Sequence, residues 1–455
     1  MKKVIDKIIH DAKTAQKTLI KINDKELNKI IIFVIKSIIN TDLNKKISQM
    51  AVDETGFGNV DDKIEKNKNK TLNLLNEILP IKTFEPCYQR DKNLFKILKP
   101  VGVICGTTPS TNPIATTLNY FINAIKCKNS IIFCPNIRTY QTIFFLINCI
   151  KDKLLQKKIN PNIISLVPKD LLRDENLIYL FDSTDKNIVT GNQYITNKVK
   201  KSIKPYLVFG TGNAVIIIEK SANIKIATKL IVESKSFDNS TSCSSDSVIL
   251  IDKKIYGTSL SQFKDNGFYI LDEKQKKKLD TIFFIRGRMN PKLIAKSATY
   301  ILEKLDIKNK NAKVIGYEVE SSDLNHYIFS EKLLPICAIV KVNHSEDSLN
   351  IANKLINNTG SGHSCGVFSK NRDFIQTVGK KIDVSRVIVN QAHSKSAGGS
   401  KNNSLNTTLS LGCGAWGQSN INYNLFYEDF CNVTLVVEKK DRKFLTMDKL
   451  ISKYE

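Results

Sequence analysis

One cysteine of the ten is set differently from most of the others. Cys243 lies in Ser240-Thr241-Ser242-Cys243-Ser244-Ser245, a stretch of small polar residues, whereas Cys134 follows the apolar run Ile131-Ile132-Phe133. A thiol in an apolar run behaves as a small hydrophobe. A thiol among hydroxyls and free backbone amides is open to substrate, and those amides can stabilise its thiolate; the competing reading is an inert loop thiol. If Cys243 reacts, it does so as a nucleophile that forms a covalent intermediate. Such an intermediate needs a donor for the oxyanion that develops. Asn112 is a candidate, in Gly106-Thr107-Thr108-Pro109-Ser110-Thr111-Asn112-Pro113, where two prolines stiffen the chain around it. The plainer reading of Asn112 is a helix N-cap; the functional one is a side-chain amide held for an oxyanion.

These residues need a scaffold, and the hydrophobic patterning supplies one. The first eighty residues read as helices, with apolar residues at helical spacing from Ile5 to Leu19, a strongly apolar run from Ile30 to Ile39 and a break at Asp53-Glu54-Thr55-Gly56. Residues 84–99 read as an exposed hairpin. From Pro100 onward short apolar runs alternate with helical segments: strands at 101–105, 130–133, 163–167 and 187–189, helices at 114–126, 139–153 and 193–202. Such alternation implies a doubly wound parallel sheet with helices on both faces, an α/β fold. Ligands of these sheets bind beyond the carboxyl ends of the strands, where the turn carrying Asn112 lies.

Composition bounds the function classes. The chain has 455 residues, 42% of them hydrophobic, enough for a sizeable core in two or three domains. No apolar run is long enough to span a membrane and the N-terminus has no signal-peptide pattern, so a cytoplasmic protein without a membrane partner is expected. Lys and Arg number 69 against 44 Asp and Glu, a net charge of +25. That excess invites a nucleic-acid reading. The lysines are spread through almost every segment, however, and no aromatics are interleaved with the short runs at 66–70 and 276–278. A chain-wide compositional bias explains the charge better than a nucleic-acid partner does, although a basic surface still attracts anionic cofactors. No CxxC pair occurs, which removes zinc-ribbon and thioredoxin readings; neither a metal centre nor a disulfide framework is expected.

The segments 101–113, Phe209-Gly210-Thr211-Gly212-Asn213 and the Cys243 stretch resemble, in order and spacing, the aldehyde dehydrogenase superfamily, and most closely its CoA-acylating branch. Glu331-Lys332-Leu333-Leu334-Pro335, Gly360-Ser361-Gly362-His363, Val389-Asn390 and Leu411-Gly412-Cys413-Gly414-Ala415-Trp416-Gly417 extend the resemblance over residues 1–440. It implies an aldehyde dehydrogenase-like fold: an NAD(P)-binding domain at 1–235, a catalytic domain at 236–420 and a C-terminal oligomerisation segment at 421–455. Segments 84–99 and 430–438 look like the strands that pair between subunits of a homodimer or larger homo-oligomer. By the same resemblance Cys243 is the nucleophile, and Asn112 with the Cys243 N–H is the oxyanion hole. His363 serves proton transfer or cofactor contact, against the alternative of a structural hydrogen bond. Thr108, Pro109, Pro135, Gly191, Gly210, Gly212 and Glu331 fall on the cofactor side, Glu331 matching the carboxylate at the nicotinamide ribose and Gly191 the glycine where the pyrophosphate passes a helix N-terminus.

Two departures matter. Hydrolytic relatives carry a glutamate base in a Glu-Leu-Gly-Gly-Lys motif; here Phe209 stands at that place and cannot activate water. The implied product is therefore an acyl-CoA, with CoA as co-substrate. The lysine that contacts the adenine ribose is replaced by Cys134, leaving NAD or NADP open, with Arg138 a candidate 2′-phosphate contact. Segments 241–245 and 389–393 look most like the sulfoacetaldehyde-oxidising subgroup. Ser242, Ser244 and His393, with Lys395, are then candidates for an anionic head group. Acetaldehyde and succinate semialdehyde are the alternative substrates. A hydrolytic dehydrogenase and a polyanion-binding homologue are the alternative functions. His10, His326 and His344 read as surface residues, and the single tryptophan, Trp416, as a packing residue.

Overall fold

A computed structural model of the chain describes residues 2–88, 92–285, 288–441 and 444–455. Four helices come first: α1 (Lys2–Ile20), α2 (Asp24–Ile39), α3 (Asp42–Thr55) and α4 (Val60–Ile78). Their ends follow local chemistry. The Asn23 and Asn59 side chains accept the N–H groups of Glu26 and Asp62 at the starts of α2 and α4. Gly56 closes α3 in the left-handed region, at φ 71°. Leu27, Ile30, Ile31, Val34, Ile35 and Ile38 form the buried face of α2.

β1 (Cys87–Tyr88) and β2 (Leu94–Pro100) pair antiparallel as the expected hairpin; residues 89–91 lie outside the described residues. Gly102 then adopts a φ of 125°, so β3 (Val103–Thr108) begins at Val103 and not at Val101. There follow α5 (Pro113–Lys126), β4 (Ser130–Pro135), α6 (Tyr140–Gln156), β5 (Ile164–Leu166), α7 (Asp174–Ser183), β6 (Lys186–Thr190), α8 (Gln193–Val199) and β7 (Tyr206–Phe209). The five strands form a parallel sheet in the order β5-β4-β3-β6-β7. β3 and β4 are buried along their whole length, as strands covered on both faces must be. The winding reverses between β3 and β6, which opens a crevice at their carboxyl ends.

The second sheet takes in β8 (Ala214–Ile218), α9 (Ile224–Ser236), β9 (Asp246–Asp252), α10 (Tyr256–Asp265), β10 (Phe268–Ile270) and α11 (Glu273–Phe283). A short pair, β11 (Phe284–Ile285) with β12 (Arg288–Met289), precedes α12 (Ala298–Lys304), β13 (Val314–Glu318) and β14 (Ile336–Val342). α13 (Asp347–Asn358), β15 (Cys365–Phe368), α14 (Arg372–Lys381), β16 (Val387–Val389) and α15 (His393–Ser396) complete it. Its seven strands are parallel, in the order β10-β13-β14-β9-β8-β15-β16. The chain thus passes between the sheets at 210–213, because β8 and α9 belong to the second; the border expected at residue 235 falls too late. Among the described residues no helix is long and apolar enough to cross a membrane.

β17 (Cys431–Val437) returns to pair antiparallel with β2, and α16 (Met447–Tyr454) ends the chain with no buried residue. The two segments expected to pair between subunits therefore pair with each other inside one chain. β17 is the edge of this three-stranded sheet and exposes Val433, Leu435 and Val437. Truncation after Asp429 removes β17 and uncovers the edge of β2, and an uncovered edge recruits other chains. Size-exclusion chromatography of the truncated chain is expected to show aggregates or a changed assembly; an unchanged, monodisperse, active species would contradict the role given to β17.

Candidate active site

The turns after β3 and β6 border a cavity of about 370 Å³. Thr108, Pro109, Asn112, Pro135, Gly191, Gly210, Cys243 and Glu331 line it. It therefore brings together the nucleophile candidate, the oxyanion-donor candidate and most of the expected cofactor contacts. A Cβ on Gly191 would come within 2.5 Å of the Ile195 side chain, so glycine there lets the end of β6 approach α8 closely. The crevice fits a dinucleotide by its place and by its lining.

Cys243 sits in the turn between α9 and β9, part-exposed, with Sγ 3.2 Å from His363 Nε2. His363 Nδ1 lies 2.8 Å from the Ser364 hydroxyl. An imidazole protonated on Nδ1 meets both contacts, donating to Ser364 and accepting the thiol proton. Burial, with the charge of Arg386 nearby, holds His363 well below the usual imidazole range, which favours its neutral form. Burial, aided by the Glu331 carboxylate, pushes the Cys243 thiol up to about 12. Burial thus favours, for the candidate nucleophile, a thiol hydrogen-bonded to a neutral imidazole over an amide-stabilised thiolate. Arg386, itself buried, donates to the carbonyls of His363 and Gly412 and so fixes the backbone that carries the imidazole.

Gly212 was expected on the cofactor side and lies instead behind the nucleophile. A Cβ there would stand 2.2 Å from the Cys243 carbonyl oxygen and 3.1 Å from His363 Cδ2. Its N–H donates to Glu331 Oε1 at 2.9 Å, and burial pushes that carboxyl up to about 7.

Asn112 occupies the N-cap position of α5 but makes no side-chain cap bond. Its Oδ1 accepts from Lys66 Nζ at 2.7 Å, and its Nδ2 makes only long contacts, 3.4 Å each, with Thr111 Oγ1 and Thr241 O. Lys66 stands with buried Lys63 and half-buried Lys70 at helical spacing on α4. Lys63 and Lys66 converge on Asp238 Oδ2 at 3.0 and 2.5 Å, while Lys70 donates to the carbonyls of Gly398 and Gly399. Burial alone would raise the Asp238 carboxyl, but Lys66 and Lys63 hold it below the ordinary carboxylate range. Asp238, Asn239 and Ser240 have φ of 49°, 49° and 64°, three successive left-handed residues just before the nucleophile. Neither the lysines of α4 nor Asp238 carries a role in the sequence reading above. The spacing of Lys63, Lys66 and Lys70 was the available signal, and it was hidden among the many other lysines.

Other expected site residues lie elsewhere. Arg138 is exposed and absent from the cavity wall. Ser244 and His393 point into the core: His393 Nδ1 donates to the Ser244 carbonyl at 2.7 Å, and burial lowers its pKa to about 4. The Ser242 hydroxyl is paired with that of Ser244 at 2.8 Å. Lys395 is ion-paired with Glu233 and Glu65. No charged group of this set is left to take an anionic head group. Trp416 is half-exposed and borders a second cavity of about 380 Å³ with Gly210, Thr211 and Gly360, so it is not simply a packing residue.

The family model for the aldehyde dehydrogenase family matches residues 1–268. The chain belongs to this family. It is 32% identical to a sulfoacetaldehyde dehydrogenase of Acholeplasma sp over 437 residues, covering 94% of this chain and 90% of that one. A succinate-semialdehyde dehydrogenase (acetylating) of Clostridium kluyveri is 30% identical, with 95% of each chain covered. The crystal structure of an acetylating aldehyde dehydrogenase from Geobacillus thermoglucosidasius superposes with a TM-score of 0.91 at 28% identity, covering 98% of both chains. The mixed α/β architecture expected from the sequence is that of this family.

The raised thiol pKa has a consequence for this family member. Without cofactor, alkylation of Cys243 by iodoacetamide is expected to be slow at pH 7 and to keep rising about tenfold per pH unit through pH 9, because the thiolate fraction grows while pH stays below the pKa. Mass spectrometry of the Cys243 peptide, with exposed Cys87 as the internal reference, measures it. A plateau near pH 7 would show a resting thiolate.

Proposed function

We propose that this chain is a CoA-acylating aldehyde dehydrogenase, which reversibly converts a small aldehyde, oxidised NAD or NADP and CoA to an acyl-CoA and reduced cofactor. One observation carries the reading: the base within reach of Cys243 is His363, 3.2 Å from the sulfur, while buried Phe209 ends β7 where hydrolytic relatives keep their glutamate. A base bonded to the thiol serves thiol chemistry.

As Sγ bonds the aldehyde carbon, the thiol proton passes to His363 Nε2. Asn112 Nδ2 and the Cys243 N–H receive the oxyanion, a pair of donors aimed where charge develops. The nicotinamide supplies the hydride acceptor, with Glu331 and Gly191 as the groups that fit its ribose and pyrophosphate. The carbonyl reforms as a thioester on Cys243, and His363 loses its proton to solvent. His363 then takes the proton of the CoA thiol as that sulfur attacks, and returns it to Cys243 as the acyl group leaves.

Sulfoacetaldehyde is the aldehyde this reading favours, on similarity to relatives that bear its name. His393 and Lys395 give it no support, being buried neutral and ion-paired. We further infer a cytoplasmic homo-oligomer that covers the exposed edge of β17. A hydrolytic reading has one observation behind it: Glu331, raised to about 7, faces the same cavity and can take a proton from water.

With a panel of aldehydes and oxidised cofactor but no CoA, the protein is expected to form at most about one reduced cofactor per active site and then nearly stall, as a stable acyl-enzyme requires. CoA should restore sustained turnover, and Cys243→Ala should abolish both phases while leaving the melting temperature close to the parent's. Equal steady rates with and without CoA, yielding free acid, would establish the hydrolytic reading instead.

A further inference from the structure

We infer that Lys66 is a positioning residue for the oxyanion donor: clamped between Asn112, Asp238 and Thr241, its ammonium fixes which end of the Asn112 carboxamide faces the reacting carbonyl and strengthens that end as a donor. The inference rests on the acylating reading above and adds a residue to its machinery.

The two ends of a carboxamide are nearly alike in shape, so packing alone does not choose between them. A cation does. Lys66 Nζ lies 2.7 Å from Asn112 Oδ1, and rotating the amide would set its NH₂ group against the ammonium. The Nδ2 end is thereby turned from α4 toward the nucleophile turn. There its two contacts are both 3.4 Å, long enough to be given up to an oxyanion.

The ammonium is itself saturated. Its three N–H bonds meet three acceptors: Asn112 Oδ1, Asp238 Oδ2 at 2.5 Å and Thr241 Oγ1 at 3.1 Å. Its side chain is only 7% exposed, so water does little to screen it. A fixed positive charge drawing on Oδ1 in so dry a setting polarises the amide and makes Nδ2 a stronger donor. Thr241 and Asp238 belong to the turn that carries Cys243, so the same ammonium sets the distance between donor and nucleophile. That Asn112 is free of the cap bond its position offers leaves its side chain wholly to this arrangement.

The test is a double-mutant cycle on parent, Lys66→Met, Asn112→Ala and the double variant. It is read as the single-turnover rate of reduced-cofactor formation without CoA, using the best aldehyde of the panel, alongside the affinity for oxidised cofactor. Asn112→Ala is expected to slow this step by about 10²–10³-fold, the usual cost of one oxyanion donor. Lys66→Met should slow it by about 10²-fold with cofactor affinity within about twofold of the parent, and should add less than about threefold in the Asn112→Ala background, because both act through one amide. Lys66→Gln, which keeps a neutral donor beside Oδ1, is run through the same cycle and decides the question if the methionine variant does not fold. A single-variant rate within about threefold of the parent, or losses that multiply in the double variant, would overturn the role of Lys66. A parent that shows no burst would instead overturn the acylating reading, so the two failures are distinct.

Discussion

The Asp238 carboxylate is fully buried and still charged, and the catalytic geometry hangs on how it is satisfied. Lys63 and Lys66 reach it from α4, the Thr241 hydroxyl from its own turn, and the Asn59 N–H from the start of α4. Taking ions from water costs several kcal/mol each, and their mutual attraction offsets this only when every proton and lone pair is met. Here two cations share one anion, and three of their four remaining protons go to Thr111, Asn112 and Thr241. The charge balance therefore joins the turn after β3, the helix α4 and the nucleophile turn, three pieces far apart in sequence. Losing one member of such a buried set leaves an uncompensated charge and destabilises by about 3–5 kcal/mol.

A second constraint acts on the sulfur through His363. Arg386 donates to backbone carbonyls, which keeps its full charge near His363 and disfavours an imidazolium. Gly212 leaves no room for a side chain between the Cys243 carbonyl and the imidazole ring. Thiol and imidazole are thus held in contact in a setting that disfavours ionisation of either. A protonated thiol is also protected from adventitious oxidation, since the thiolate is the oxidisable form.

The strands and helices around the crevice were legible in the amino-acid sequence because parallel strands covered on both faces leave dense apolar runs, as at 130–133, separated by helical periodicity. Cys243 stood out because its neighbours are small and polar. What escaped were features that depend on which lysine is buried. Lys66 and Lys395 look alike in composition, yet one is clamped inside the site and the other is ion-paired at the surface. The chain neighbourhood of His393 suggests a substrate contact, and only the packing of α15 against α9 reveals that it faces the core. The passage between the sheets was misplaced because β8 continues the same apolar rhythm as the strands before it; pairing partners, not periodicity, assign it to the second sheet.

The three left-handed residues Asp238, Asn239 and Ser240 give the nucleophile turn a thermal character of its own. Asp and Asn tolerate that conformation better than most residues, but each still lies about 1–2 kcal/mol above its relaxed state. The strain persists only while the lysines of α4 hold Asp238 in place. Heat that loosens this grip lets the turn relax well before either parallel sheet melts, since local openings need far less free energy than global ones. Loss of activity on warming is then expected to precede loss of helical circular dichroism.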